Sequence, residues 1–330
     1  MKKILYYILL FIAICFIIPI IFTEKEDKQA MAKVENESED KNIKEYDYKK
    51  YKIIRLLHNE NDNVEEIPLD EYLYGVVASE MPASFEEEAL KAQAVVARTY
   101  TIYKIENSAK HENSDICDDP SCCQAWISKD DRLAKWDNSK AQEYWNKIVN
   151  AVDNTRGKVI TYEGKIINAF FHANSGGKTE TTANVWGGEG YPYLQAVETS
   201  GEDAYSQYAS EVTLTKQTFI DKIREQHSDF SINFDEENCI QILEYTEGGR
   251  VKLIKIGNLE LSGVEVRNLL GLKSANFSIN IDAENINISV LGYGHGVGMS
   301  QTGADSMAKQ GKNYEEIIKH FYSNVEIENL

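Results

Sequence analysis

Apolar and polar positions divide the chain into three stretches. Residues 4–22 carry no charge and follow Lys2 and Lys3. A run of that length matches one helical crossing of a hydrocarbon core about 30 Å thick. It is longer than the roughly 7–15-residue apolar region of a secretory signal, and no small-residue cleavage site follows it. The pattern predicts an uncleaved transmembrane anchor over 4–22, with a cytoplasmic stub over 1–3 and everything after the span outside. Residues 23–50 are polar and charged and read as a solvated linker. The remainder exceeds one average domain, which implies one large or two intimate domains.

After Pro68, Asp70 is a plausible N-cap, and Leu73, Val76 and Val77 recur at helical spacing until Met81-Pro82 ends the helix. Ser84-Phe85-Glu86-Glu87 reads as a capping box opening an alanine-rich helix to about Ile105. A polar loop over 107–131 precedes a helix bearing Trp136, Tyr144 and Trp145 that runs to about Asn154. Two apolar runs, 158–162 and 165–171, are joined by Glu163-Gly164, a hairpin signal. Glycine-rich loops follow at 175–177 and 186–188. From about 203 to 290 come a helix near 216–225, strands at 240–245, 251–256, 277–281 and 286–291, and a short helix between Ser262 and Gly271. The chain then returns to a second glycine-rich block, 292–300, and two terminal helices. The expected fold is α+β: a main mixed α/β domain over 51–330, with about 203–290 as a smaller inserted α+β module.

Glu80 falls seven residues after Leu73, on the apolar face of its helix. Burial disfavours a charged carboxyl and raises its pKa, which suits either a general acid near neutrality or a buried ion pair. Arg98 sits on the alanine-rich helix beside small neighbours, as a surface arginine or as a substrate or Glu80 partner. Gln93 lies on a mostly apolar stripe, as a core amide or a ligand-binding one. His172 and Ser175 are not arranged as a nucleophile pair, so together with Asn174 they are candidate hydrogen-bonding residues of a groove. The glycines of 292–298 do not fit a dinucleotide fingerprint; His295 and Gln301 are the side chains there most suited to a ligand.

The net charge of −18 argues against nucleic acid and against anionic lipid surfaces. Five cysteines are too few for a disulfide-stapled scaffold. His111, Cys117, Cys122 and Cys123 form a cluster suited to structural zinc. A Cys117–Cys122 or Cys117–Cys123 disulfide is the rival outside the cytoplasm. Cys122 and Cys123 are adjacent, and Cys123 is the preferred ligand of the two. The helix between the two sites, at about 1.5 Å per residue, predicts that the cluster lies about 30 Å from Glu80.

The block from Asp70-Glu-Tyr-Leu-Tyr-Gly-Val-Val-Ala-Ser-Glu80-Met-Pro through Arg98-Thr-Tyr100 resembles the signature of the SpoIID/LytB family. Phe171-His172-Ala-Asn-Ser175-Gly-Gly and Tyr293-Gly-His-Gly-Val-Gly-Met-Ser-Gln301-Thr-Gly resemble its middle and C-terminal blocks, in the same order. The resemblance implies a lytic transglycosylase of peptidoglycan with Glu80 as catalytic acid and no cofactor in the chemistry. It further implies action on peptide-stripped glycan during engulfment, at the mother-cell membrane, in a complex with the stage II amidase P and membrane protein M. Tyr191-Pro-Tyr193-Leu-Gln195 resembles a family segment in which Lys is expected at Gln195, and Tyr193 is a candidate for stacking on a sugar. A non-catalytic wall-binding module that enhances an amidase is the alternative.

Overall fold

The computed structural model describes residues 51–107 and 111–330; the expected anchor and linker lie outside them. No helix among the described residues is long and apolar enough to cross a membrane. A hairpin comes first, β1 (Ile53–His58) against β2 (Asn63–Pro68). Its alternation is faint, since Ile54, Leu56 and Ile67 supply its buried side chains. Helix α1 (Leu69–Glu80) follows directly, burying Leu73, Val76 and Val77, and the chain leaves it extended at Met81.

Helix α2 spans Glu87–Asn107. It does not start at the Ser84 capping box. Residues 82–85 form a turn in which Phe85 N–H donates to the Pro82 carbonyl at 3.0 Å. The orphan N–H of Glu86 donates instead to Asp305 Oδ1 at 2.6 Å. The helix is buried on all sides from Ala92 to Ile102. Alanines at 92, 94 and 97 let its neighbours approach closely.

Strand β3 (Ile116–Cys117) pairs in parallel with β1. The single helix expected around Trp136 is two, α3 (Lys129–Lys135), capped by Ser128, and α4 (Ala141–Asp153). Strands β4 (Lys158–Tyr162) and β5 (Lys165–Ile166) turn through Glu163 and Gly164 at φ 51° and 71°, as a type I′ hairpin requires. The second apolar run does not continue as one strand: β6 (Phe171–His172) pairs elsewhere. Helix α5 (Thr182–Trp186) precedes β7 (Ala209–Thr215) and α6 (Lys216–Arg224). Next come β8 (Ile240–Tyr245), β9 (Val251–Ile256), β10 (Leu259–Ser262), α7 (Gly263–Leu270), β11 (Asn276–Ile281) and β12 (Asn285–Leu291). Strand β13 (Met299–Ser300), α8 (Gln301–Lys309), α9 (Tyr314–Phe321) and β14 (Glu326–Asn329) complete the chain.

Two apolar clusters organise these elements. One surrounds α2, which α4, α8, α9 and β4 pack against. The other joins the sheets β10-β9-β8 and β11-β12-β7 through Phe219, Phe230, Ile254, Phe277 and Ile288. Strands β7 and β12 are antiparallel partners, with Ala209 opposite Leu291. The segment therefore enters and leaves side by side, which brings the loops after β6 and β12 together.

Gly75, mid-α1, shows how tightly the loop before α3 is laid on. A Cβ there would stand 2.6 Å from Trp126 Cδ1 and 2.7 Å from the Ile127 carbonyl oxygen. Alanine would gain up to about 1 kcal/mol in helix propensity, but forcing volume into a packed contact costs about 1–3 kcal/mol. Gly75→Ala is therefore expected to lower the denaturant midpoint and to shift tryptophan fluorescence. An unchanged or raised midpoint would refute this packing.

Candidate active site

Because α1 ends at Glu80 and Met81 leaves it extended, Glu80 stands at the lip of the helix, in its last position. It is half-buried, and its Oε1 accepts the Ala125 N–H at 2.7 Å. Burial pushes its carboxyl up to about 7, and the Ala125 amide opposes that rise without cancelling it. Two adjoining cavities meet at this carboxyl. The larger, about 730 Å³, includes Tyr100, Lys104, His172, Trp186 and His295 in its wall. The smaller, about 360 Å³, includes Phe85, Arg132, Trp136 and Tyr144. Glu80, Ala173, Tyr293 and Gln301 border both, and among the described residues Glu80 is the only acidic one lining either. Both volumes fall in the roughly 300–1,000 Å³ range of ligand sites.

The β6–β13 pairing sets the opposite wall. His172 Nδ1 lies 3.1 Å from the Val297 carbonyl and donates to it, leaving Nε2 unprotonated and without a partner. Burial, reinforced by Arg250, drives the His172 pKa down to about 3. Burial likewise holds His295 well below its usual value, and its Nδ1 accepts the Val297 N–H at 3.0 Å. Both rings are neutral. Gly298, at φ 71°, lets the Phe170 carbonyl lie where a side chain would stand. Trp186 is 52% exposed and rests on Phe170 and His295, with ring centroids 4.7 and 5.1 Å away. Tyr293, 45% exposed, has the Lys273 ammonium over its ring.

Of the residues expected at the site, Glu80, His172, His295 and Gln301 line the cavities. Gln93 is buried behind them, its Oε1 3.4 Å from Gln301 Nε2. The others have structural positions. Arg98 is fully buried and donates to the carbonyls of Val152, Thr155 and Lys158, with Asp70 3.6 Å away. Tyr193 is buried, its hydroxyl accepting the Asn168 N–H, so it has no free face for a sugar. Gln195 lines neither cavity and donates to the Pro192 carbonyl. Asn174 donates to Thr302 Oγ1. Ser175 is wholly buried, its hydroxyl donating to Glu202.

Sequence reasoning missed Glu202, which sits in a polar turn with no visible signal. Its carboxylate accepts from the N–H groups of Ser175 and Gly177 at 3.0 Å and from the hydroxyls of Ser175, Ser300 and Thr302. It ties the loop after β6 to the start of α8. It missed as well the aromatic lining of Tyr100, Phe170 and Trp186 and the cations Lys104, Arg132 and Arg267. Phe170 beside the His172 block and Trp186 just before Gly187-Gly188 were the available cues.

The ligand atoms of His111, Cys117, Cys122 and Cys123 lie within 4.8 Å of one another. His111 Nε2 is 3.7 and 3.6 Å from the sulfurs of Cys122 and Cys123, which are 3.8 Å apart. All three cysteines are free thiols. Zinc with Zn–S about 2.3 Å and Zn–N about 2.0 Å sets its ligand atoms roughly 3.5–3.8 Å apart, so the donor set fits that ion. The expected distance of about 30 Å from Glu80 is wrong. The loop folds back along α2, placing Cys122 and Cys123 in the larger cavity's wall and Ala125 on the carboxyl itself.

The profile of the SpoIID family (Stage II sporulation protein) matches residues 58–162. Stage II sporulation protein D of Bacillus amyloliquefaciens is 38% identical over 276 residues, covering 83% of this chain and 78% of that protein. The chain belongs to the SpoIID family. The Bacillus subtilis member of that name is 36% identical over 277 residues, with the same coverage. The amidase enhancer of B. subtilis is 30% identical over 304 residues, 76% of this chain but 39% of that longer protein. The SpoIID profile holds Glu80, α2 and the cysteine loop, whereas the histidine wall comes from beyond it.

The sign of the Glu80 shift sets a stability test. A carboxyl whose folded pKa is raised from 4.5 to about 7 contributes fully below the lower value, and the contribution is lost as pH rises through the upper one. Glu80→Gln is thus expected to match wild type at pH 4 and to melt higher at pH 8. At about 1.36 kcal/mol per pKa unit, the gain has a ceiling of about 3 kcal/mol. Equal melting temperatures at pH 8 would show that the carboxyl is not desolvated.

Proposed function

We propose that this SpoIID-family chain is a lytic transglycosylase that cleaves the N-acetylmuramic acid–N-acetylglucosamine linkage of peptidoglycan during sporulation. The observation that carries the reading is a single carboxyl, half-buried with a pKa near 7, at the meeting of two cavities with no other acid among the described residues that line them. Glycosidases that hydrolyse through two carboxyls need a second one about 5–9.5 Å away. A lone acid–base suits an intramolecular reaction. Glu80 protonates the linking oxygen as the bond breaks through an oxocarbenium-like state. The carboxylate then takes the proton of the muramoyl 6-hydroxyl, whose oxygen attacks its own anomeric carbon. The product is a 1,6-anhydro end, and no water enters it. The neutral His172 Nε2 accepts a sugar hydroxyl, and the faces of Trp186 and Tyr293 support sugar rings.

In this reading the protein is a single-pass membrane protein with its catalytic domain outside, in a complex with an amidase and a membrane protein on peptide-stripped strands. His111, Cys117, Cys122 and Cys123 hold a structural zinc, which clamps the loop bearing Ala125 and takes no part in the reaction. The likeness to an amidase enhancer favours a second reading, in which the same groove binds glycan without cutting it.

Mass spectrometry of products from purified glycan separates the two. Wild type is expected to release anhydro-muramoyl ends, with kcat/KM falling about tenfold per pH unit above about 7 as the acid form is lost. Glu80→Ala, folded, is expected to release none. Turnover by that variant, or no anhydro ends from wild type, would rule out the transglycosylase reading. Chelation or Cys117→Ser should lower thermal stability and expose the Ala125 amide to hydrogen exchange. An unaltered exchange rate there would separate the cluster from the site.

A further inference from the structure

The smaller cavity holds a cation that the fold does not use. Arg132 projects from α3 into its wall. Its guanidinium carbon lies 4.6 Å from the Trp136 ring centroid, and Trp136 meets the Tyr144 ring edge-on at 5.6 Å. Its Nε is buried without a hydrogen-bond partner. Burial alone pulls its pKa below the usual arginine value, with no neighbouring acid to oppose it.

The other arginines among the described residues are held. Arg55 has Asp115, Arg98 and Arg250 have backbone carbonyls, and Arg156 has Asp70 and Asp153. Arg224 and Arg267 donate to the carbonyls of Phe230 and Leu272. In a chain with 53 acidic and 35 basic residues, a half-buried arginine with neither an acid nor a carbonyl to hold its guanidinium is the unexpected case. Desolvating a guanidinium is costly unless something pairs with it, and here the cavity leaves room for the partner to be a ligand.

We infer that Arg132, stacked on Trp136, binds the free lactyl carboxylate of a muramoyl residue next to the cleaved bond, and so selects glycan without stem peptides. This rests on the glycan reading of the site. The lactyl group is an anion only when no peptide is attached, because a stem peptide converts its carboxyl into a neutral amide. A carboxylate can take two parallel hydrogen bonds from a guanidinium, and an amide cannot match that charge. Lys104 and Arg267 stand in the larger cavity, but Lys104 lies over the Tyr100 ring and Arg267 is bound to a carbonyl. Arg132 is a specificity residue and does not touch the reacting atoms.

The test uses glycan strands with free lactyl carboxylates and the same strands with each carboxyl converted to its methylamide, which removes charge while adding little bulk. Wild type is expected to favour the free acid about 10- to 100-fold in kcat/KM, the range of a hydrogen-bonded charge pair. Arg132→Gln should lose most of that on the free acid and far less on the methylamide, so that the ratio falls toward one. Arg132→Lys should keep part of it. An unchanged ratio in Arg132→Gln, or equal rates on both strands by wild type, would overturn the inference; the wild-type arm holds even if the variant does not fold. If wild type released no anhydro ends from either strand, the transglycosylase reading would fail, and strand retention by wild type would decide the role of Arg132. Retention favouring the free acid, lost in Arg132→Gln, supports it, and equal retention of both strands overturns it.

Discussion

A carboxyl withdrawn from water at a place where the chain supplies one N–H for it is the constraint on which the site rests. An ionised carboxylate in that position is unfavourable, and a single amide hydrogen bond does not offset the loss of solvent. The protonated form therefore persists to near neutral pH. Each local feature around Glu80 serves to hold it there. Met81 leaves α1 in an extended conformation, so that the carboxyl stands at the helix end. Gly75 lets Trp126 lie against α1, and this brings the loop close enough for Ala125 to donate.

The opposite wall depends on groups that never meet the cavity. Glu202 gathers two backbone N–H groups and three hydroxyls from segments far apart in sequence. Arg250, next to β9 in the second apolar cluster, donates to the carbonyls of Ser175 and Lys178. A buried polar network of this kind is rigid when satisfied and costly when broken. It accounts for the position of His172, whose neighbours along the chain are fixed at both ends. The second cluster thereby braces the cavity, with β7 and β12 pairing where the segment enters and leaves.

Much of this order was visible in the chain. Helix α1, the 163–164 hairpin and the α7 caps at Ser262 and Gly271 followed from periodicity and local turn chemistry, and the mixed α and β character followed with them. Glu80 was legible because a carboxylate on an apolar helical face is anomalous in any sequence. The start of α2 was not, because the group that caps it lies 219 positions away at Asp305. The 30 Å separation failed for the same reason: a loop can return along a helix, and helical rise says nothing of where it goes. Arg98, Ser175 and Tyr193 stand in motifs, and a motif does not distinguish a side chain that holds the wall from one that faces the cavity. Arg132 carried no signal, since an isolated arginine on a charged helix looks solvated until its neighbours are known.

The chemistry of the site depends on the ionisation of one group. Carbon-13 NMR of the Glu80 side-chain carboxyl, followed across pH in the folded protein, measures it directly. The structure predicts a midpoint near 7, displaced from the ordinary value of 4.5 by burial. A midpoint near 4.5 would mean a solvated carboxylate at neutral pH, unable to act as the acid assigned to it.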